Sequence, residues 1–164
     1  AHGGVPLAWQ RDTVSRYPRI IARAAPYRGF DPITDSPMAD TTVPEFFERF
    51  PMTRVVNADL DAELAAEDNR IAILFLWGRD CPNCDIAKRQ ILLTSERFTW
   101  PEVRWLHDNV YDDPTMGTRF GLHGIPAFFL FHRGRKLGRI TAWPGTQPFV
   151  DAVNKQIALT GASA

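Results

Sequence analysis

Ile71-Ala72-Ile73-Leu74-Phe75-Leu76-Trp77-Gly78-Arg79-Asp80-Cys81-Pro82-Asn83-Cys84 is the stretch from which the rest of the chain is read. Its first seven residues are all apolar and run into a turn former, the pattern of a strand buried on both faces. Gly78-Arg79-Asp80 makes a short turn. Cys81 then opens a helix, and Pro82 suits the first helical turn, where a missing N–H costs nothing. Free N–H groups and the positive end of the helix dipole stabilise a thiolate there, and thiolate is the reactive form of cysteine. Two intervening residues put Cys84 one turn further on, facing back toward Cys81. A mixed disulfide on Cys81 can then be resolved within the same site. Cys81 is the expected exposed nucleophile and Cys84 the more buried resolver. The competing readings are an inert buried pair or half of a metal site.

These are the only two cysteines in 164 residues, too few for a disulfide scaffold. A zinc site would need two histidines at suitable spacing, and His107, His123 and His132 are scattered, so no metal is expected. At 45% hydrophobic, the chain can build one core without staples, as one compact domain plus an extension. Zero net charge gives no electrostatic footprint for nucleic acid. The longest strongly apolar run, Ile71 to Trp77, is far short of the roughly 18 residues that span a bilayer. No basic-then-apolar leader opens the chain. A cytoplasmic location is expected, or a periplasmic one if a signal peptide was removed before Ala1.

The zero charge hides segregation: residues 1–30 carry +4, residues 31–69 carry −8 and residues 70–164 carry +4. Seven of the thirteen prolines lie in the first 51 residues, and proline removes a donor and biases its predecessor away from helix. Residues 1–53 therefore read as an irregular extension. Its Trp9, Tyr17, Ile20, Ile21, Tyr27 and Phe30 are suited to packing on the domain or on a partner. Within it, Thr42 to Phe50 has a hydroxyl cap, an early proline and a Phe46/Phe47/Phe50 face, the marks of a short helix. Residues 54–164 alternate: strand from Arg54, helix Asp59 to Glu67, strand Ile71 to Trp77, the cysteine helix to about Ser95, strand Val103 to Val110, helix Pro114 to Phe120, strand Ala127 to His132, a tight turn at Gly134, strand Lys136 to Thr141 and helix Thr146 to Leu159. Helical crossovers make a parallel core and the Gly134 turn adds an antiparallel pair. The fold class is α/β, a central mixed sheet flanked by helices.

A second signature lies about 45 residues beyond Cys81, where Gly124-Ile125-Pro126 leads into the strand Ala127-Phe128-Phe129-Leu130-Phe131. With Trp77 to Cys84, Phe120 to Pro126 and Phe131-His132-Arg133-Gly134, residues 54–160 resemble the thioredoxin superfamily. The resemblance implies a thioredoxin-like fold and protein thiol–disulfide exchange through a redox-active Cys81–Cys84 disulfide, with no bound cofactor. It implies a cis Ile125–Pro126 bond, pairing of the Ile125 backbone with a substrate chain in strand fashion, and Trp77 packed near the site. Asp80, Pro82 and Asn83 depart from the usual Trp-Cys-Gly-Pro-Cys. The family's buried aspartate falls on Phe75, and a buried lysine falls on His107. His107 is a candidate proton relay, or a histidine with no catalytic role. Lys88 and Arg89 read as the solvated face of the cysteine helix.

Three influences meet at Cys81. A helix terminus is worth up to roughly 2 kcal/mol, against at most about 1 kcal/mol for a surface charge. The thiol is therefore expected below its ordinary range, with Asp80 moderating the effect and Arg79 adding to it if it folds back. The two residues between the cysteines tune potentials over about 150 mV, and uncharged Asn83 points to an intermediate value. The first functional reading is a thioredoxin-type reductase of protein disulfides, monomeric, recharged by thioredoxin reductase and NADPH. The alternatives are a thiol oxidase or isomerase of an oxidising compartment, or a redox-linked chaperone or assembly module recruiting a partner through the extension.

Overall fold

The computed structural model describes residues 43–66 and 68–164. In chain order they form α1 (Val43–Arg49), β1 (Thr53–Arg54), α2 (Asn57–Ala65), β2 (Ile71–Trp77), α3 (Pro82–Leu93), a 3-10 turn (Ser95–Phe98), β3 (Val103–Asn109), α4 (Pro114–Phe120), β4 (Ala127–His132), β5 (Arg135–Thr141) and α5 (Thr146–Thr160). Most of the extension, including Thr42 and the aromatic residues from Trp9 to Phe30, lies outside the described residues.

The five strands lie in the order β1-β3-β2-β4-β5. Strand β3 is parallel to β1 and β2, while β4 is antiparallel to β2 and β5. This is the mixed sheet that the alternation of elements implies. The β4–β5 hairpin closes through Arg133 (φ 51°) and Gly134 (φ 73°). Two left-handed residues match the twist of the flanking strands, and glycine carries the second without cost. Arg135, one residue before the strand start expected at Lys136, is already in β5 and pairs with His132.

Strand β2 is buried along its whole length because helices cover both faces. Side chains alternate across a sheet. Ile71, Ile73, Phe75 and Trp77 thus share one core layer with Cys84 and Ile91 of α3 and Phe149 of α5. Ala72, Leu74 and Leu76 share the opposite layer with Leu60 of α2 and Met116 of α4.

Helix α1 belongs to the first layer. Phe46 meets Phe75 edge-on with centroids 6.4 Å apart, and Phe50 meets Trp105 edge-on at 5.6 Å. Both are buried, so this part of the extension is anchored on the sheet. Asp113 joins two helices of the other layer: its carboxylate accepts the Asn57 N–H at 2.8 Å and the Thr115 N–H at 3.2 Å. These bonds satisfy donors at the starts of α2 and α4; the Thr115 hydroxyl first, and then these N–H groups, hold the Asp113 carboxyl below its ordinary range.

Candidate active site

The end of β2 and the start of α3 build the site. Trp77 closes the strand, and Asp80 takes a left-handed conformation (φ 52°) as the chain turns. Cys81 is the N-cap of α3, and its sulfur accepts the Cys84 N–H at 3.2 Å. One free donor of the helix terminus is therefore aimed at Cys81 Sγ. Cys81 and Cys84 are joined in a disulfide with Cα atoms 5.2 Å apart. Cys81 is 8% exposed and Cys84 fully buried, while Pro82 and Asn83 are exposed between them.

Ile125 and Pro126 arrive from the loop before β4. Their peptide bond is cis. The Ile125 carbonyl oxygen lies 3.8 Å from Cys81 Sγ, and the Pro126 carbonyl accepts the Ala142 N–H at 3.0 Å. Gly78 is needed for the close approach: a Cβ there would lie 2.6 Å from Ile125 Cδ1 and 2.6 Å from the Tyr111 ring. The Gly121–Ile125 segment is bordered by two grooves. One, of about 590 Å³, runs past Tyr111 and Thr118. The other, of about 410 Å³, runs past Asn83, Arg139 and Ala142.

Two expectations about charge change. Arg79 does not fold back over Cys81, because its guanidinium pairs with Asp112. Lys88 is not on a solvated face: it is 1% exposed, with its Nζ 4.1 Å from the centre of the Trp77 ring. Arg89 is exposed, as expected. The signal for Lys88 was present in the sequence, since positions 84, 87, 88 and 91 form one helical stripe. The polar head group obscured it.

His107 lies beside Phe75 in register on β3. Its Nδ1 accepts the Trp77 indole N–H at 3.2 Å, and its ring stacks on Phe47 with centroids 3.8 Å apart. Burial, helped by the nearby charges of Arg54 and Lys88, pushes its pKa down to about 4. His107 is therefore neutral near pH 7 and orients Trp77. On the opposite face Asp108 is fully buried, and neither carboxyl oxygen has a hydrogen-bond partner among the described residues. Burial first, then the Asp113 charge, pushes its pKa up to about 6. No three His, Cys, Asp or Glu side chains among the described residues come together as a metal site.

A close cysteine pair at a helix N-terminus, set against a mixed sheet of this topology, defines a thiol–disulfide oxidoreductase. No protein-family model matches the chain. The chain is similar to the thioredoxin-like protein YusE of Bacillus subtilis (strain 168), with 26% identity over 77 residues, 47% of this chain and 71% of YusE. Its fold is similar to Chlamydomonas reinhardtii thioredoxin f2, with a TM-score of 0.54 and 15% identity over 64% of this chain and 95% of that one. It is also similar to a chain solved in work on the thiol-resolving mechanism of yeast mitochondrial 1-Cys peroxiredoxin via glutathione/thioredoxin systems. There the TM-score is 0.56, with 16% identity over 65% of this chain and 97% of that one. By fold and by these likenesses, the chain is thioredoxin-like.

Proposed function

We propose that the protein reduces disulfides in other proteins by dithiol exchange at Cys81 and Cys84. The observation that carries this reading is the placement of Cys81 Sγ, capped by the Cys84 N–H at 3.2 Å and 3.8 Å from the Ile125 carbonyl. An N–H at the sulfur favours the thiolate, and a backbone edge beside it suits an extended substrate chain. In the reduced protein the Cys81 thiolate attacks a substrate sulfur. The substrate S–S bond breaks, a Cys81–substrate disulfide forms and the first substrate thiolate leaves. Cys84 then attacks Cys81, forming the internal disulfide and releasing the second substrate thiolate. Two electrons pass to the substrate, and both thiolates take up protons.

Insulin reduction by dithiothreitol tests the reading. The wild type accelerates it and Cys81→Ser abolishes the acceleration. No acceleration over dithiothreitol alone removes the reading. Replacing dithiothreitol by thioredoxin reductase and NADPH tests the donor. A thiol oxidase is the second reading, favoured by one observation: Phe75 takes the place of a buried acid while Lys88 puts a cation in the same layer, which favours the reduced, thiolate form.

A further inference from the structure

Lys88 is a buried cation without a hydrogen bond. Its Nζ has no hydrogen-bond partner among the described residues. It follows Cys84 by four positions on α3, and Cys84, Ala87, Lys88 and Ile91 are that helix's buried residues. Side chains four apart are neighbours on a helix, with Cβ atoms about 5–6 Å apart. The Trp77 ring of β2 lies under the ammonium. The titratable groups around it are few. On α3, Asp85 stands 3.7 Å away with its side chain 30% exposed. On β3, His107 is neutral above about pH 4. On α1, Glu45 and Arg49 pair with each other at the exposed surface.

Burying a charge is costly unless it is paired. Burial is the leading influence on Lys88 and pushes its pKa down, while the Asp85 charge 3.7 Å away opposes it. In the disulfide state no sulfur carries charge. Reduction supplies an anion one helical turn away, on a buried sulfur that otherwise has no reason to ionise.

We infer that Lys88 is the internal counter-ion of the Cys84 thiolate in the reduced protein, an inference that rests on the redox reading above. Lys88 is a positioning residue: it touches no substrate and acts through the charge state of Cys84. During resolution the Cys84 thiol proton passes to water past Asp85, and the Lys88 ammonium holds the thiolate left behind. The Cys84 thiolate attacks Cys81, the Cys81–Cys84 bond forms, and the Cys81–substrate bond breaks. The substrate leaves as a thiolate and takes a proton from water, and Lys88 keeps its charge throughout. The same pairing stabilises the reduced form, which makes the couple more oxidising.

The test uses the full chain. Cys81→Ser leaves Cys84 as the only thiol, so ultraviolet thiolate absorbance against pH reads Cys84 alone. Adding Lys88→Met moves that titration up by about one unit or more, the effect of removing an opposite charge. Adding Lys88→Arg, which keeps the charge, leaves it near the parent. A titration unmoved by Lys88→Met overturns the inference, as does Lys88→Arg titrating with the methionine variant. The single variant Lys88→Met, equilibrated with glutathione, becomes more reducing by up to about tenfold in equilibrium constant; an unchanged constant also overturns it. Its thermal midpoint changes little, because an apolar side chain replaces a buried charge whose ion-pair partner, Asp85, is part-exposed and stays solvated. A wild type that reduces no insulin but shows the Lys88-dependent titration removes the reductase reading and leaves the ion pair.

Discussion

The Ile125 carbonyl oxygen stands 3.8 Å from Cys81 Sγ, across a sequence separation of 44 residues. That contact joins the two halves of the site, the start of α3 and the loop before β4. Both rest on Gly78, which has no Cβ to hold Ile125 and Tyr111 away.

Gly78→Ala is therefore expected to damage activity more than stability. The atoms it would strike are at the ends of the Ile125 and Tyr111 side chains, which can yield. The stability cost is about 1 kcal/mol, the low end for overpacking. Insulin reduction falls further than that loss accounts for, because Ile125 shifts from Cys81. Denaturant titration beside turnover checks this, and unchanged turnover counts against the role given to Ile125.

Asp80 is the acidic side chain next to the nucleophile, and its left-handed conformation suits asparagine. In a Cys84→Ser background, Asp80→Asn lowers the Cys81 pKa by less than about one unit, the worth of an exposed charge. The pH dependence of alkylation reads it. A rise contradicts the account.

His107 and Asp108 oppose each other in acid. His107 falls to about 4 in the folded state from an unfolded value near 6.5, so the unfolded chain binds more protons in that window. Its contribution to stability is lost as pH falls from about 6.5 to about 4. Asp108 rises to about 6 from an unfolded value near 3.9, so the folded chain binds more protons. Its contribution is lost as pH rises from about 4 to about 6. Each amounts to about 3 kcal/mol, and they nearly cancel. Asp68, held near 2 chiefly by Arg70, acts below this window. Asp108→Asn removes one side of the balance. Its stability is expected to climb steeply from pH 4 to 6.5 while the wild type stays nearly flat, as denaturation at stepped pH would show.

Phe46→Ala tests whether α1 belongs to the core. Phe46 is buried among Phe47, Phe50 and Phe75, and its truncation costs about 3–5 kcal/mol. A loss under about 1 kcal/mol in denaturant titration would make α1 a detachable arm.

Much of this architecture was legible in the chain. Ile71 to Trp77 matches β2 end to end because seven apolar residues with turn formers behind them leave little choice. Pro114–Phe120 and Ala127–His132 were equally plain, each marked by a proline and a change of period. Boundaries shifted where no cap or breaker marked them: α2 starts at Asn57, two residues early, because its first N–H is held by Asp113 from 56 positions away. Such a partner leaves no local trace. The cysteines and Ile125–Pro126 were visible as motifs, whereas the turning of Arg79 to Asp112 is tertiary. Lys88 was misread because a lysine on a helix is usually solvated. Only the packing of Cys84, Ala87 and Ile91 on the sheet shows that this one is not.

The roles of the two cysteines are tested most directly by trapping. Cys84→Ser, reduced and mixed with insulin, is expected to accumulate a mixed disulfide through Cys81, seen as the mass of one insulin molecule added in non-reducing mass spectrometry. Cys81→Ser is expected to trap little, because its remaining thiol is buried. Equal trapping by the two variants, or trapping through Cys84 alone, would contradict the account.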